Sequence, residues 1–226
     1  MRIALFSDIH ANLPAFEAFL NDLDSRKPDA IYCLGDMIGY NVWPNEIINE
    51  IRRRGIATLK GNHDVKTEGY AYELVSTDNR GYLGTLPAHI RLEFQPGDFR
   101  KNMLMVHGSP KSINEYILED LPEDYVTEMM REFSADILCV AHSHKPYHRI
   151  IGDKHIINTG SVGKPKDGNP QGGYVLLTIN RSDNPTDNIK IGIEFIRFTY
   201  DVEKAAKAVE ESPLPDKYAE SLRMAF

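Results

Sequence analysis

Seven side chains of the types that bind metal ions stand at the ends of five short apolar runs. Each run is followed directly by a carboxylate, an amide or an imidazole. Runs that ended in ordinary loops would instead finish in a mixture of Ser, Lys, Glu, Gly and Asn. The agreement among five separate runs therefore predicts one shared metal site. In chain order the candidate ligands are Asp8, His10, Asp36, Asn62, His107, His142 and His144.

The spacing within two of these groups suits the binding of one ion by two side chains. Asp8 and His10 are two residues apart, and so are His142 and His144. Residues two apart in extended chain point to the same side, so each pair can face a single ion. Asp36 follows Gly35, which allows the backbone to turn sharply beside a bound ion.

The chemistry of the ligands indicates which metals they would bind. The set has four imidazoles, two carboxylates and one amide oxygen, with no thiolate. Such a site suits Mn, Fe, Co, Ni or Zn, and it is too rich in nitrogen for Mg or Ca. Seven ligands exceed what one ion takes, so we expect two divalent ions ~3.5–4 Å apart with a bridging carboxylate. Mn²⁺ is the ion we expect to support activity in vitro.

The charge of such a centre predicts the class of substrate. Two divalent ions carry about +4, and Asp8, Asp36 and a bridging hydroxide leave a pocket of roughly +1. The whole chain has a formal net charge of −7, which argues against broad binding to nucleic acid or to an anionic membrane. A small phosphate ester, such as a nucleotide or a dinucleoside polyphosphate, is the expected partner.

The elements that must position these residues follow from the apolar patterns. The five runs are rich in Ile, Val, Leu and Tyr, which is typical of strands buried on both faces. In open α/β sheets, functional residues collect beyond the carboxyl ends of such strands. Helical patterns alternate with the runs up to about residue 142, which predicts βαβ units and a largely parallel sheet. The predicted helices cover residues 13–23, 44–54 and 122–133.

After residue 142 the pattern changes to antiparallel β structure and a helical tail. Residues 148–158 have Gly152 and Asp153 between two β-like runs and predict a hairpin. Strands are predicted over 174–180 and 189–200, joined by an exposed polar loop at 181–188. Two helical segments follow at 201–212 and 215–226, separated by Pro213 and Pro215.

Length and cysteine content complete the general description. A chain of 226 residues suits a single domain, residues 1–226. Cys33 and Cys139 both lie inside apolar runs, which favours reduced thiols. The N-terminal apolar run is too short for a signal peptide or a membrane span, so we expect a cytoplasmic protein.

In order, these blocks resemble those of the calcineurin-like metallophosphoesterase superfamily, in its small bacterial and archaeal phosphodiesterase-type branch. The resemblance runs from residue 8 to about residue 165, and its last part is similar to the Asn-Pro-Gly-Ser loop of that branch. The blocks are Asp8-x-His10, Gly35-Asp36, Gly61-Asn62-His63-Asp64, His107, His142-x-His144 and Asn158-Thr159-Gly160-Ser161. The resemblance implies an α/β fold of four layers, an αββα sandwich of two mixed β-sheets with the metal site at the carboxyl ends of the strands.

The resemblance also implies a division of labour among the site residues. One ion would be held by Asp8, His10, Asp36 and His144, and the other by Asp36, Asn62, His107 and His142. A hydroxide that bridges the ions would attack phosphorus in line, without a phospho-enzyme. The predicted catalytic residues are Asn62 and His63, of which His63 binds no metal and assists the leaving group. An imidazole titrating near neutral pH suits that acid work.

Two positions depart from the pattern of the superfamily. Phosphoprotein phosphatases have a second Asp three residues after the bridging one, which pairs with the catalytic His, and this chain has Gly39 there. That difference favours the small phosphoesterases over protein phosphatases. Ala141 precedes His142 where relatives usually have Gly, which adds one methyl group beside the site.

Three further residues are candidates for contact with substrate. Tyr40 and Arg80 lie in predicted loops near the site, and Arg80 would hold a phosphate oxygen. Asn12 either contacts substrate or caps the first helix. The remaining histidines, His89, His148 and His155, fall outside the pattern and are interpreted as structural.

The leading hypothesis is therefore a dinuclear hydrolase of phosphomonoesters or phosphodiesters. The alternative is a non-catalytic scaffold or binding module on the same fold, as in a retromer subunit. The sequence leaves open the physiological substrate, the native metal, the oligomeric state and the role of the C-terminal segment.

Overall fold

Two mixed β-sheets face each other and have helices on their outer sides. The computed structural model describes residues 1–95, 100–181 and 189–226. Its strands are β1 (Arg2–Phe6), β2 (Ala30–Cys33), β3 (Ala57–Thr58), β4 (His89–Phe94), β5 (Lys101–Val106), β6 (Ile137–Val140), β7 (Tyr147–Ile151), β8 (Lys154–Asn158), β9 (Gly172–Arg181) and β10 (Ile189–Phe198). Its helices are α1 (Leu13–Arg26), α2 (Pro44–Arg54), α3 (Tyr70–Glu73), α4 (Thr77–Thr85), α5 (Glu123–Glu132), α6 (Val202–Glu210) and α7 (Lys217–Met224).

The five runs that carry the candidate ligands are divided between the two sheets. The first sheet has the order β10-β9-β1-β2-β3, and the second has the order β4-β5-β6-β8-β7. Strands β1, β2 and β3 are parallel to each other, and β5, β6 and β8 form a second parallel set. Antiparallel strands flank each set. The prediction of one largely parallel sheet up to residue 142 is therefore wrong, whereas the two mixed sheets are confirmed.

Alternate side chains of the central strands enter different cores. Ile3 and Leu5 of β1 pack in the core between the sheets, whereas Ala4 and Phe6 pack against the helices outside. Strand β5 repeats the pattern, with Met103 directed to the core between the sheets. Because both faces are buried over residues 3–6 and 103–106, these stretches are apolar at every position and do not alternate.

The helices complete the four layers. Buried residues of α1 and α2 share a core with the outer face of the first sheet, and α5 covers the outer face of the second. Asn12 caps α1 by accepting a hydrogen bond from the amide of Ala15, as one of its two predicted roles required. Helix α2 spans residues 44–54 as predicted and ends at Gly55, whose φ of 63° is left-handed.

Three elements were not predicted from the sequence. Helices α3 and α4 interrupt a stretch that has Gly69, Gly81 and Gly84, residues that disfavour helices. Strand β4 is at the edge of its sheet and has no fully buried residue, so its apolar signal is weak. In these segments tertiary contacts outweigh the local preference.

The C-terminal predictions are largely confirmed. Gly152 has a φ of 61° in the turn between β7 and β8, and helices α6 and α7 form the tail. Of the predicted loop at 181–188, residue 181 ends β9 and residues 182–188 lie outside the described residues. Cys33 and Cys139 are buried and unpaired. Over the described ranges, no helix combines the length and apolarity that crossing a membrane requires.

The packing of α1 against β1 predicts a large effect of shortening Phe19. Phe19 is fully buried, and its ring centroid lies 4.5 Å from that of Phe6 and 5.1 Å from that of Tyr174. We expect Phe19→Ala to lower the free energy of unfolding by about 3–5 kcal/mol, because it leaves a cavity in the core. Urea unfolding measures this, with Glu17→Ala on the exposed side of α1 as the control. A loss below about 1 kcal/mol in Phe19→Ala would show that neighbouring side chains fill the space left by the Phe19 ring.

Candidate metal centre

The candidate ligands lie together at the carboxyl ends of the strands from both sheets. Six of the seven are at most 6% exposed, and Asn62 is half-buried. Ligand atoms within 4.8 Å of one another form three groups. These groups are Asp8, His10 and His144; Asp36, His107 and His142; and His10, Asp36 and His63. The third group also places His63 beside the cluster, although it was predicted not to bind a metal.

Backbone carbonyl groups fix which nitrogen of each imidazole faces the cluster. Nδ1 of His10 donates to the carbonyl of Ile38 at 3.0 Å, and Nδ1 of His107 donates to Leu34 at 2.8 Å. Because a carbonyl oxygen only accepts, the proton must lie on Nδ1, and Nε2 presents its lone pair. Nδ1 of His144 donates in the same way to the carbonyl of Lys164.

His142 has the opposite arrangement. Its Nε2 donates to the carbonyl of Asn114 at 3.3 Å, so Nδ1 carries the lone pair. Its backbone amide also donates to Oδ2 of Asp8 at 3.3 Å. Each of the four histidines thus donates from one ring nitrogen to a backbone carbonyl and directs its other nitrogen toward the cluster.

The inward atoms repel one another unless a cation lies among them. Nε2 of His10 and Nε2 of His144, both bearing lone pairs, are 3.2 Å apart. Oδ1 of Asp8 lies 3.1 Å from Nε2 of His144 and, within the described residues, has no hydrogen-bond donor although it is buried. Burying such acceptors without a partner is costly. The donor set therefore fits a divalent transition-metal ion.

Asp36 lies between the two groups of ligands. Its Oδ2 is 3.7 Å from Nε2 of His10 and 3.4 Å from Nε2 of His107. Its Oδ1 accepts a hydrogen bond from the amide of His63 at 2.8 Å. On the far side, Oδ1 of Asn62 is 3.0 Å from Nε2 of His107. This arrangement has the form that a carboxylate shared by two ions requires.

Charges within the cluster show the same need for a cation. Burial opposes ionisation of Asp8 and Asp36, but the neighbouring imidazoles outweigh it and lower both pKa values. Burial likewise opposes protonation of His107, yet the Asp36 carboxylate raises the pKa of His107 to about 10. Burial lowers the pKa of His144 to about 4. Without metal, a second proton, on Nε2 of His107, would offset one of the two carboxylate charges, and metal binding would displace it.

Most of the candidate ligands have an unusual backbone conformation. Positive φ angles between 51° and 65° occur at five of them. Such left-handed conformations are uncommon outside glycine and concentrate at functional sites. The five residues are Asp8, His10, Asp36, His142 and His144.

Asp64 supports this centre and was not assigned a role from the sequence. Its buried carboxylate accepts hydrogen bonds from the amides of Asp36 at 2.7 Å, Met37 at 2.9 Å and Gly61 at 2.9 Å. Burial and the charge of Asp36 raise the pKa of Asp64 to about 7. The signal for this residue was present in Gly61-Asn62-His63-Asp64, but nothing in that pattern shows which side chain turns to the backbone.

The loop after β8 holds the first ligand segment from the other sheet. Oγ of Ser161 and the amide of Gly163 both donate to the carbonyl of Asp8, at 2.7 and 3.0 Å. Asn158 donates to the carbonyl of Ala141 and to Oγ of Ser143, each at 3.0 Å. A side chain at Gly163 would collide with the carbonyl of Ile9, since a Cβ there would lie 1.8 Å from it. The segment that resembles the Asn-Pro-Gly-Ser loop thus supports the ligands through the backbone.

His63 lies beside the cluster as a neutral imidazole. Burial lowers its pKa to about 3. Nδ1 of His63 accepts from the ammonium of Lys66 at 3.3 Å, so its proton is on Nε2. A Cβ at Gly39 would lie 2.5 Å from this Nδ1, which accounts for the glycine. The expectation that His63 titrates near neutral pH therefore disagrees with its surroundings.

The predicted substrate contacts are placed very differently from one another. The ring of Tyr40 lies 4.7 Å from both His10 and His63, at the cluster. The amide group of Asn12 is used within the fold, because its Nδ2 donates to the carbonyl of Gly163 at 2.7 Å and its Oδ1 caps α1.

Arg80 is directed elsewhere. Its guanidinium donates to the carbonyl groups of Tyr72 and Glu73 and lies 4.1 Å from the Tyr72 ring. Over the described part of the chain, none of these contacts involves a candidate ligand, so the predicted contact of Arg80 with phosphate lacks support. Two of the three histidines interpreted as structural contact each other, with Nε2 of His148 3.0 Å from Nδ1 of His155.

Comparisons with known proteins give one family. The model of the calcineurin-like phosphoesterase superfamily domain matches residues 1–182. An uncharacterized protein of Methanocaldococcus jannaschii is 31% identical over 251 residues, covering 97% of this chain and 96% of that protein. A metallophosphoesterase of Sphaerobacter thermophilus is similar in structure at 26% identity and a TM-score of 0.76, with both chains covered completely. A hypothetical protein of Pyrococcus horikoshii shares the fold at 21% identity and a TM-score of 0.81, covering 100% of this chain and 98% of that one.

The contacts of Asp64 predict that its removal destabilises the protein and weakens metal binding. Asp64→Ala leaves four buried amides without an acceptor, so we expect a loss of about 2–5 kcal/mol in the free energy of unfolding. Urea unfolding and metal analysis of the purified protein measure both effects. The control is Asp29→Ala, which removes a carboxylate that accepts from the amide of Arg2 at the surface. Equal stability of the two variants would contradict the role given to Asp64.

Proposed function

Because this chain belongs to the calcineurin-like phosphoesterase superfamily, we propose that it hydrolyses phosphate esters with two divalent metal ions. The observation that carries the proposal is the set of buried lone pairs and carboxylate oxygens that converge on one another. Nε2 of His10 faces Nε2 of His144 at 3.2 Å, beside Oδ1 of Asp8, which has no hydrogen-bond donor among the described residues. Such an arrangement is costly unless a cation is present.

The proposed ligands divide into two sets that share Asp36. The first set contains Asp8, His10 and His144, and the second contains Asn62, His107 and His142. Nitrogen-rich sites of this kind suit Mn, Fe, Co, Ni or Zn. Bound ions would lower the pKa of coordinated water and stabilise charge on a phosphoryl group.

The protein's own residues would orient the ester and assist the leaving group. His63 presents the N–H of Nε2, since its Nδ1 accepts from Lys66. A neutral imidazole of this kind donates a hydrogen bond to the departing oxygen and does not need to begin as an imidazolium. Asn62, next in the chain, would hold both an ion and a phosphoryl oxygen. This role for His63 revises the acid catalysis expected from the sequence.

Small phosphate esters are favoured over phosphoproteins as substrates. The resemblance places the Asp of protein phosphatases at the position of Gly39, and a Cβ there would collide with His63. Lys66, a cation, occupies the place of that carboxylate next to Nδ1. The His63 ring is thus held by a different partner, as suits the small phosphoesterase branch.

A scaffold without catalysis is the alternative on the same fold. It would not require a full set of ligands, whereas this chain retains all seven at the ends of the strands. Full metal occupancy in a protein that fails to hydrolyse any phosphate ester would favour that alternative.

Loss of a ligand is expected to abolish turnover. We expect the purified protein to bind two divalent ions per chain and to hydrolyse bis(4-nitrophenyl) phosphate with added Mn²⁺. Changes around a metal site commonly cost 10–100-fold, so Asp36→Asn and His107→Ala should reduce kcat by about 100-fold or more. Metal analysis of each variant accompanies the assay. His89→Ala, which removes an exposed histidine of β4, is the control and should retain turnover.

Full turnover by Asp36→Asn would contradict the two-metal proposal. Loss of turnover in His89→Ala to the same extent would show that the assay reports folding and not ligation.

Removal of His63 is expected to slow the reaction without loss of metal. Assistance to a leaving group contributes about 10²–10⁴-fold, so His63→Ala should lower kcat within that range while the metal content stays as in the wild type. The effect should be larger for an alkoxide leaving group than for 4-nitrophenolate, which needs little assistance. An equal loss for both leaving groups, or loss of a metal ion, would indicate that His63 acts as a ligand.

A further inference from the structure

The C-terminal hairpin, residues 202–224, lies outside the part of the chain that matches the family model. That match ends at residue 182. Helices α6 and α7 have a small core of their own, and Arg223 of α7 pairs with Glu203 and Glu210 of α6. Helix α6 also packs on α1. The hairpin is therefore an ordered part of the fold that lies beyond the matched region.

Three contacts connect this hairpin and its end to the metal centre. The ring of Tyr218 packs edge-on against the ring of Tyr40, with centroids 4.9 Å apart and planes at 82°. Nζ of Lys164 donates to the carbonyl of Phe226 at 3.4 Å. The amide of Gly168 donates to the carbonyl of Ala225 at 3.0 Å. Lys164 also lies over the Tyr40 ring, with Nζ 4.9 Å from the centroid.

Tyr40 is the residue through which the hairpin reaches the site. Its ring contacts His10 and His63, and its φ is 61°. A bulky residue rarely adopts that left-handed conformation, which persists only where the surroundings enforce it. The packing of Tyr218 and Lys164 holds the ring in this position beside the imidazole that faces the leaving group.

A second tyrosine is present at the other end of the cluster. The ring of Tyr116 stacks on His142 with centroids 4.1 Å apart and planes at 13°, yet the residue is 49% exposed. The loop that carries it is fixed, because the hydroxyl of Tyr147 donates to the carbonyl of Ile117 at 2.7 Å. One face of this ring is thus covered by His142, and the ring remains accessible at the mouth of the site.

We propose that Tyr40 and Tyr116 bind the organic group of the substrate, with Tyr218 positioning Tyr40. This inference rests on the proposed function, because it concerns the same site. The half-buried ring of Tyr40 and the exposed ring of Tyr116, both beside the ligand cluster, favour a planar apolar group, which they contact by stacking or edge-on packing. The chemical class of substrate is therefore a phosphate ester of a ring-bearing alcohol, such as a nucleoside or a phenol, in preference to a small aliphatic ester.

Binding of two phosphonates tests this selectivity without turnover. Phenylphosphonate and methylphosphonate have the same headgroup and a C–P bond that phosphoesterases do not hydrolyse. Calorimetry on the Mn²⁺-loaded protein gives the ratio of their dissociation constants. We expect the wild type to bind phenylphosphonate about 10-fold more tightly, as is typical of one stacked ring.

Removal of the ring of Tyr116 or of Tyr218 should abolish this preference for phenylphosphonate. In Tyr116→Ala and in Tyr218→Ala the ratio should fall to about 2 or less, whereas Tyr218→Phe, which keeps the ring against Tyr40, should retain it. The matched controls are Leu118→Ala in the Tyr116 loop and Met224→Ala on α7, both exposed in the structure. Metal content, measured for each variant, separates loss of the ring from loss of His142 or His10 as ligands.

The outcomes distinguish this inference from the proposed function. An unchanged ratio in both tyrosine variants, or equal affinities in the wild type, would overturn the inference even if bis(4-nitrophenyl) phosphate is hydrolysed. Retained selectivity without hydrolysis of any ester would overturn the proposed function and leave the inference supported. Failure of the metal-loaded protein to bind either phosphonate would contradict both.

Discussion

Electrostatic repulsion among buried acceptors is the constraint on which the site depends. Each imidazole donates a hydrogen bond from one ring nitrogen to a backbone carbonyl. His10 donates to Ile38, and His107 donates to Leu34. The atoms left facing inward are lone pairs and carboxylate oxygens, and nothing among them can donate without a proton or a metal ion. The backbone carbonyls thus fix the tautomer of each imidazole. The lone pairs that face inward as a result are stabilised by a cation. A divalent ion satisfies several acceptors at once, which a single proton on His107 does only in part.

The same constraint links the metal centre to the architecture. Asp8 and Asp36 follow strands of the first sheet, whereas His107 and His142 follow strands of the second. Ions bound between them would therefore cross-link the two sheets at one edge. Because such ions bind the folded chain and not the unfolded one, their binding free energy would add to stability. The carbonyl of Asp8, held by Ser161 and Gly163, provides a second connection between the sheets at this edge.

The sequence predicts that the candidate ligands lie together, as they do in the structure, but it does not predict the residues that support them. Side chains such as Asp8 or His142 can be recognised in the sequence because they follow apolar runs. The carboxyl ends of such strands lie close together in the fold. Asp64 acts on backbone amides, and the order Gly61-Asn62-His63-Asp64 does not show which side chain turns inward. The assignment of runs to two sheets depends on the pairing of β1 with β9, a contact between distant segments.

Selectivity has a different origin from the reaction itself. The ligands and their hydrogen bonds belong to residues matched by the family model, and they specify metal chemistry shared across many substrates. Gly39, at the position where the resemblance places an Asp in protein phosphatases, and Lys66 both lie next to the His63 ring and are not candidate ligands. The C-terminal hairpin lies beyond the matched region, and in our proposal it affects substrate binding through the contact of Tyr218 with Tyr40. Substitutions in a segment that contributes no metal ligand can alter its contact with Tyr40 without altering the ligands of the ions. Such substitutions can therefore change which substrate is bound while the reaction stays the same.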